Sequence, residues 1–334
     1  MNSAGAILVV GPSWVGDMVM AQALFKTLKT LQPDCPIDLL APTWTLPLAA
    51  RMPEVRAGIP LPVAHGELGL GKRWRVGRSL NGVYGQAILL PNSFKSALVP
   101  WFAATPRRTG FRGEFRFGLI NDPRALDKKR LPRTVDRFVA LGLPAETPLP
   151  APLPLPRLVA SAGSGEAILQ RHGLFGQGPV LALCPGAEYG PAKRWPERHF
   201  AAIATERLRE GWRVVVLGSG KEQGLGEAIL TGSPAGSANL AGRISLGEAI
   251  DVLASAAAVV TNDSGLMHVA AALDRPGVAI FGSSDPGHTP PLGGCLRILS
   301  LGLACAPCFK RHCPEGTTRC LEEITPAMVL EALP

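Results

Sequence analysis

A short apolar run that ends in glycine, serine or a polar residue and then opens a helical pattern recurs along this chain. Ala6-Ile7-Leu8-Val9-Val10 gives way to Gly11-Pro12-Ser13-Trp14-Val15-Gly16, after which Met18, Ala21, Phe25 and Leu28 return at helical spacing. Ile37–Leu40 and Ala87–Leu90 repeat the apolar run. Beyond residue 156, Val180–Cys184, Val214–Leu217, Ala257–Thr261 and Val278–Phe281 do so again, separated by the helical stretches Phe200–Glu210, Leu246–Ala254 and Leu266–Leu273. Such alternation predicts α/β construction with parallel sheets. No heptad or repeat array competes with it.

The two groups of strands are separated by Pro144 to Pro156, whose repeated prolines stiffen the chain and remove backbone donors. At 334 residues the chain exceeds the usual size of one core. Two domains are therefore expected, 1–155 and 156–334. Charge divides at the same place. Residues 1–150 carry 19 Lys and Arg against 10 Asp and Glu, and the remainder 15 against 16, so the formal +8 belongs to the first half. Lys72 to Arg78 and Arg107 to Arg137 hold much of the excess. That field suits nucleic acid, anionic lipid or a phosphorylated acceptor, or is a solvated basic face. No zinc-finger spacing or RNA-binding aromatic motif accompanies the cations, so no nucleic acid is expected. No apolar segment reaches the roughly 20 residues that span a bilayer. The segment Met1–Gly5 lacks a basic region before the first strand, which predicts a cytoplasmic protein without a signal peptide.

Two separated pieces in the second half look built for phosphate. Cys184-Pro185-Gly186-Ala187-Glu188 runs from a strand end to Lys193-Arg194-Trp195-Pro196. Thr261-Asn262-Asp263-Ser264-Gly265-Leu266-Met267-His268 passes from a strand into an alanine-rich helix, whose first N–H groups are free to hold phosphate oxygens. A lysine facing such a helix end suits a diphosphate leaving group; its alternative is a surface ion pair with Glu197. Gly186 allows close backbone approach or simply makes a turn. Asp263, anionic itself, fits sugar hydroxyls, loop organisation or a helix cap better than phosphate. Ser264 and Gly265 offer backbone donors, and His268 a hydrogen bond to phosphate or a structural role. Glu222, after Leu217-Gly218-Ser219-Gly220-Lys221, fits either a ribose diol or a helix start. Gly282-Ser283-Ser284-Asp285-Pro286 follows another strand and fits the pocket wall or a plain loop.

In the first half, Asp17 sits where a strand-end loop enters a helix. A carboxylate there can take the proton of an attacking hydroxyl, or it is an ordinary first-turn acid. Donor held by one half and acceptor activated by the other describes a nucleotide-sugar glycosyltransferase. The Gly11–Gly16 loop lacks the third glycine of a dinucleotide fingerprint, which disfavours a nicotinamide oxidoreductase. No Walker loop or Asp-x-Asp pair is present, so phosphate neutralisation is expected without a catalytic metal. Late in the chain, Cys305, Cys308, Cys313 and Cys320 are spaced to clasp zinc or an iron–sulfur cluster, to pack as reduced thiols, or to form disulfides.

Gly11-Pro12-Ser13-Trp14-Val15-Gly16-Asp17-Met18-Val19-Met20, Leu90-Pro91-Asn92-Ser93-Phe94-Lys95-Ser96-Ala97-Leu98 and Arg108-Thr109-Gly110-Phe111-Arg112-Gly113-Glu114 together carry a resemblance. With Cys184 to Pro196, Asn262 to His268 and the late Cys305-Ala306-Pro307-Cys308 and Cys313-Pro314 pieces, the chain resembles the ADP-heptose:lipopolysaccharide heptosyltransferases over nearly its whole length. The cysteine pieces resemble the heptosyltransferase II branch rather than its first-heptose relative. The resemblance implies a GT-B fold, two Rossmann-like domains facing across a cleft, with a C-terminal segment packing back on the first. It implies ADP-heptose as donor, a heptosyl-Kdo-lipid A acceptor, and inverting transfer that forms an α-1,3 linkage with no cofactor. Asp17 becomes the general base and Lys193 the phosphate contact. Gly186, Glu222, Asp263, Ser264, Gly265 and His268 surround the donor, while Ser13, Lys95, Arg108 and Arg112 face the acceptor. An anionic acceptor also implies peripheral contact with the inner face of the inner membrane. The neighbouring possibility is heptosyltransferase I or another inner-core transferase.

Overall fold

The computed structural model describes residues 5–64 and 66–334. Residues 1–4, on which most of the reading of the N-terminus rests, lie outside the described residues. The chain forms two compact units, Met1–Arg157 and Leu158–Pro334.

The first unit is built on six parallel strands: β1 (Ala6–Val10), β2 (Ile37–Pro42), β3 (Ala57–Leu61), β4 (Tyr84–Leu89), β5 (Arg107–Phe111) and β6 (Asp122–Arg124), in the order β3-β2-β1-β4-β5-β6. The second has β7 (Val180–Cys184), β8 (Arg213–Val216), β9 (Ser237–Asn239), β10 (Ala258–Asn262), β11 (Gly277–Ile280) and β12 (Leu296–Leu299), in the order β12-β11-β10-β7-β8-β9. Counted from its own first strand, each sheet has the same Rossmann winding. Each therefore reverses direction once, between β1 and β4 and between β7 and β10. The crevice outside the strand C-termini at such a reversal is where ligands bind in open α/β sheets.

The helix Val15–Leu31 contains no proline, carries Asp17 in its first turn and Lys29 in its last, and so agrees with its own dipole. It is buried from Met18 to Phe25 and packs on helix Thr134–Gly142. Within it, fully buried Gln22 gives its amide N–H to the Arg157 carbonyl (2.8 Å) and takes the Arg157 N–H (2.8 Å), tying down the end of the proline-rich segment. Gly11, where β1 ends, lets the ends of Met18 and Leu39 close over the backbone: a Cβ there would come within 2.7 Å of Met18 Cε and 2.8 Å of Leu39 Cδ1, and both would have to shift. The strands β3, β5, β6, β9 and β12 were not expected. Pro60 and Pro123 interrupt β3 and β6, both edge strands, where a missing N–H leaves no ladder bond unmade.

The last turns of the chain belong to the second unit. Leu321, Ile324, Val329 and Leu333 join the core of the second, beside Leu181, Val214, Val260 and Phe200. Their apolar face covers the second sheet alongside helix Glu197–Arg209, and its burial is reason enough for the placement.

Candidate functional site

The crevice of the second unit lies between the loops leaving β7 and β10, and one side chain joins them. Asn262, fully buried, donates from Nδ2 to the Pro185 carbonyl (2.7 Å) and accepts the Trp195 N–H at Oδ1 (3.0 Å). Trp195 packs edge-on against Phe200 and donates its indole N–H to Ile324 O (2.8 Å), so it anchors the loop and does not stack on substrate. With both ends of residues 185–195 fixed, Lys193 reaches across to Asp263, Nζ to Oδ2 at 2.5 Å. Ser284 donates to the same oxygen, also at 2.5 Å. Asp263 is 6% exposed at its side chain and Lys193 18%. The carboxylate thus organises the loops and aims the lysine, which is the organising role open to it from sequence.

Directly beyond Asp263 begins helix Gly265–Ala272. Its N-cap, Ser264, is extended and makes no side-chain cap, so its hydroxyl leaves the first-turn N–H groups to other acceptors. His268 lies one turn on, buried. Desolvation, with Lys193 adding to it and Asp263 opposing it, pulls its pKa down to about 4. Its imidazole is neutral at physiological pH and presents one N–H donor and one acceptor.

Glu222 is also buried, and its carboxylate closes a capping box by accepting the Ser219 N–H (2.9 Å) and hydroxyl (2.6 Å). It lies against the bare face of Gly186, where a Cβ would stand 3.1 Å from its Cγ and Cδ. The helix-start role is therefore present in the structure, at a position that also borders the β7 loop. Sequence reasoning missed Asn262 as the bridge, and Tyr189, whose ring carries Lys193 Nζ at 5.2 Å and the Arg311 guanidinium at 5.4 Å. Asn262 acts through partners far along the chain, and Tyr189 joins Lys193 of its own loop to the distant Arg311 and Phe309, so neither has a clear local signal.

The cysteine-rich segment rests on this same loop. Ala192 N–H donates to Arg311 O (3.1 Å), Tyr189 Oη to Phe309 O (2.7 Å) and Phe309 N–H to Ser283 O (2.7 Å). Cys305, Cys308, Cys313 and Cys320 line one cavity of about 20 Å³ with Ala192 and Ser283, room for about one water-sized body. Backbone N–H groups of residues 315–318, led by Thr318, hold the Cys313 thiol below its usual range, whereas burial raises Cys320. All seven cysteines are free thiols. Among the described residues no three His, Cys, Asp or Glu side chains are placed to hold a metal ion.

In the first unit the loops leaving β1 and β4 flank its crevice. Half-buried Ser13 lies in the first, with Asp17 a few residues on in the first turn of the helix. Half-buried Lys95 lies in the turn after β4. Arg112, just past β5, is exposed. Arg108, in β5, is half-buried. Its guanidinium donates to Thr105 O (2.6 Å), Leu119 O (2.7 Å) and Gly118 O (3.4 Å), and burial lowers its pKa. It is committed to carbonyls of its own domain, a clamp that its charge alone did not reveal. The cation that sequence reasoning passed over is Arg116, 3% exposed, which donates to Pro91 O (2.9 Å), Ser96 Oγ (3.3 Å), Asn92 Oδ1 (3.3 Å) and Phe111 O. Among the described residues no helix is long and apolar enough to cross a membrane.

Known proteins share this arrangement. Residues 73–319 match the profile of glycosyltransferase family 9 (heptosyltransferase). The chain is 48% identical to lipopolysaccharide heptosyltransferase 2 of Salmonella typhimurium, covering 98% of this chain and 97% of that protein. It is 47% identical to the Escherichia coli protein of the same name, with the same coverage. The solved structure of E. coli ADP-heptose lps heptosyltransferase II superposes with a TM-score of 0.89 at 45% identity, over 98% of this chain and 97% of that one. An E. coli heptosyltransferase solved with ADP, 21% identical with a TM-score of 0.71, shares the fold. Two Rossmann-like sheets of identical winding, a lysine aimed by a buried aspartate beside an open helix start, and likeness along the full length lead to one placement: the chain belongs to glycosyltransferase family 9, the heptosyltransferases, within its heptosyltransferase II group.

Proposed function

We propose that this enzyme transfers L-glycero-D-manno-heptose from ADP-heptose to the first heptose of a Kdo-lipid A inner core, forming an α-1,3 linkage and releasing ADP. The observation that carries the reading is the full-length likeness to two proteins named heptosyltransferase 2. The Lys193–Asp263–Ser284 arrangement beside the start of helix Gly265–Ala272 supplies the chemistry.

In this reading residues 156–334 hold the donor and residues 1–155 the acceptor. The acceptor hydroxyl oxygen attacks the anomeric carbon as the bond from that carbon to the diphosphate oxygen breaks. Asp17 takes the hydroxyl proton, and the electron pair leaves with ADP. Negative charge grows on the diphosphate during that step. The Lys193 ammonium and the first N–H groups of the helix meet it there, where fixed dipoles need no reorganisation. Ser264 and Gly265 give those backbone donors. His268, kept neutral by burial, adds an N–H without repelling Lys193. Glu222, beside Gly186, takes the ribose hydroxyls. Direct attack inverts the anomeric centre and needs no nucleophilic carboxylate. No step in this scheme requires a metal.

Ser13, Lys95 and Arg112 read the acceptor, whose Kdo carboxylates and phosphates complement the positive first half. We place the enzyme in the cytoplasm, touching the inner face of the inner membrane. The four late thiols brace the donor loop in reduced form. One zinc or a stoichiometric iron–sulfur cluster per chain, found by elemental analysis of protein purified under reducing conditions, would replace that assignment with a metal clasp.

The test combines purified protein with ADP-heptose and a defined first-heptose acceptor, following ADP release and glycan mass together. One added heptose per ADP released is expected. Folded protein that binds ADP yet adds heptose only to an acceptor lacking the first heptose would make it a heptosyltransferase I.

A further inference from the structure

We propose that the loop 112–118 of the first unit is a docking wedge for an anionic lipid bilayer, with Phe115 and Phe117 entering the surface beside Arg112, which stays with the acceptor's own anionic groups at that surface. The inference rests on the reading of the acceptor as a membrane-borne glycolipid, and it assigns the physical contact to particular side chains.

Phe115 and Phe117 are each 87% exposed, more than any other large apolar side chain of the described residues. Their rings lie 6.5 Å apart and, with Arg112, Ile120 and Pro123, line an open groove of about 510 Å³. Two phenylalanines standing almost wholly in water mark a contact surface when the segment carrying them is held in place. This loop is held in place. Arg116, between them in sequence, is buried and donates to the Pro91 and Phe111 carbonyls, Ser96 and Asn92. Glu114 accepts the Phe94 N–H at 2.8 Å, which sets a third exposed aromatic, Phe94, beside the loop. Glu114 and Phe115 both adopt left-handed backbone, φ 40° and 51°, a conformation that non-glycine residues keep only where the surroundings impose it. The chain thus spends backbone strain and a buried guanidinium to turn apolar side chains outward.

Charge selects the occupant. The loop emerges from the half of the chain with 19 cations to 10 anions in residues 1–150, and exposed Arg112 lies on the groove itself. Aromatic rings at the depth of the headgroups with arginine beside them match the interface of an anionic membrane, whose attraction for cations and gain from apolar insertion act together.

The experiment uses the full chain and the double variant Phe115→Ser/Phe117→Ser, with Phe115→Leu/Phe117→Leu as the conservative control. Binding is measured by co-sedimentation with phosphatidylglycerol–phosphatidylethanolamine vesicles and with phosphatidylcholine vesicles. Wild type should prefer the anionic vesicles, the serine variant should bind them about tenfold more weakly, and the leucine variant should retain most of the affinity. Turnover is then compared on a vesicle-borne acceptor and on its fully deacylated, water-soluble form. KM for the vesicle-borne acceptor should rise by about the same factor, with the soluble acceptor unaffected. Unchanged vesicle binding in the serine variant overturns the proposal, as does an equal loss on both acceptors, which would make the loop a sugar contact. If even wild type turns over neither acceptor, the proposed reaction fails while the vesicle measurement still decides the docking. Equal melting temperatures for the variants and wild type establish that folding is unaffected.

Discussion

Asp17 and Lys193 are assigned different work, and kinetics can separate them. Asp17→Ala removes the proton acceptor, so turnover should fall by about 10²–10⁴ with ADP affinity nearly intact. Near-normal turnover by the folded variant would end the general-base assignment. Lys193→Ala should cost about 10²–10³ in turnover and weaken ADP binding as well, read by calorimetry, because ground state and transition state both present the diphosphate. His268 gives a stability signature. Its folded pKa of about 4 lies below the ordinary 6.5, so the unfolded chain binds the extra proton first. The stability contributed by the neutral imidazole is full above 6.5 and is lost as pH falls from 6.5 towards 4. His268→Gln, which does not titrate, should show a flatter fall in urea midpoint across that window. An unchanged slope would mean that another group governs it. At this scale the placement of Asp17, Lys193 and Asp263 just past strand ends was legible, because each carries a distinct local pattern. The three carbonyls that Arg108 holds were not, since nothing local announces them.

At the scale of elements, the loop 185–195 is fixed because both its ends are tied. Trp195 is the deeper tie, joining the loop to the last turns of the chain through Ile324 O. Trp195→Phe keeps most of the apolar volume and leaves that buried carbonyl without its donor. The loss should be about 1–3 kcal/mol of unfolding free energy in urea titration, and no loss would show that the carbonyl finds another donor. The strands that sequence patterning found, β1, β2, β4, β7, β8, β10 and β11, are mostly buried and rich in apolar residues. Four of the five it missed lack this signal for identifiable reasons. β3 contains Gly58 and Pro60, β5 begins Arg107-Arg108-Thr109, β6 is Asp122-Pro123-Arg124, and β9 is Ser237-Ala238-Asn239. Backbone pairing to a neighbouring strand holds such segments, and ladder bonds leave no mark in side-chain composition.

For the whole molecule, the dominant sequence signal was the uneven charge, and it makes a separable claim about the two substrates. If the positive half serves an anionic acceptor, raising ionic strength from about 0.05 to 0.3 M should raise KM for a membrane-borne acceptor several-fold through screening. KM for ADP-heptose, met by Lys193 at close range, should change much less. Equal sensitivity of both constants would assign the excess charge to solubility alone. The repeated winding of the two sheets has a further reach. Because each sheet reverses once, each half has one natural mouth, and Arg157 divides the chain between them. If the first half holds the acceptor and the second the donor, as proposed, a variant's position along the gene forecasts its phenotype. Changes upstream of that boundary should then trade one glycolipid for another, and changes downstream should alter the appetite for the activated sugar.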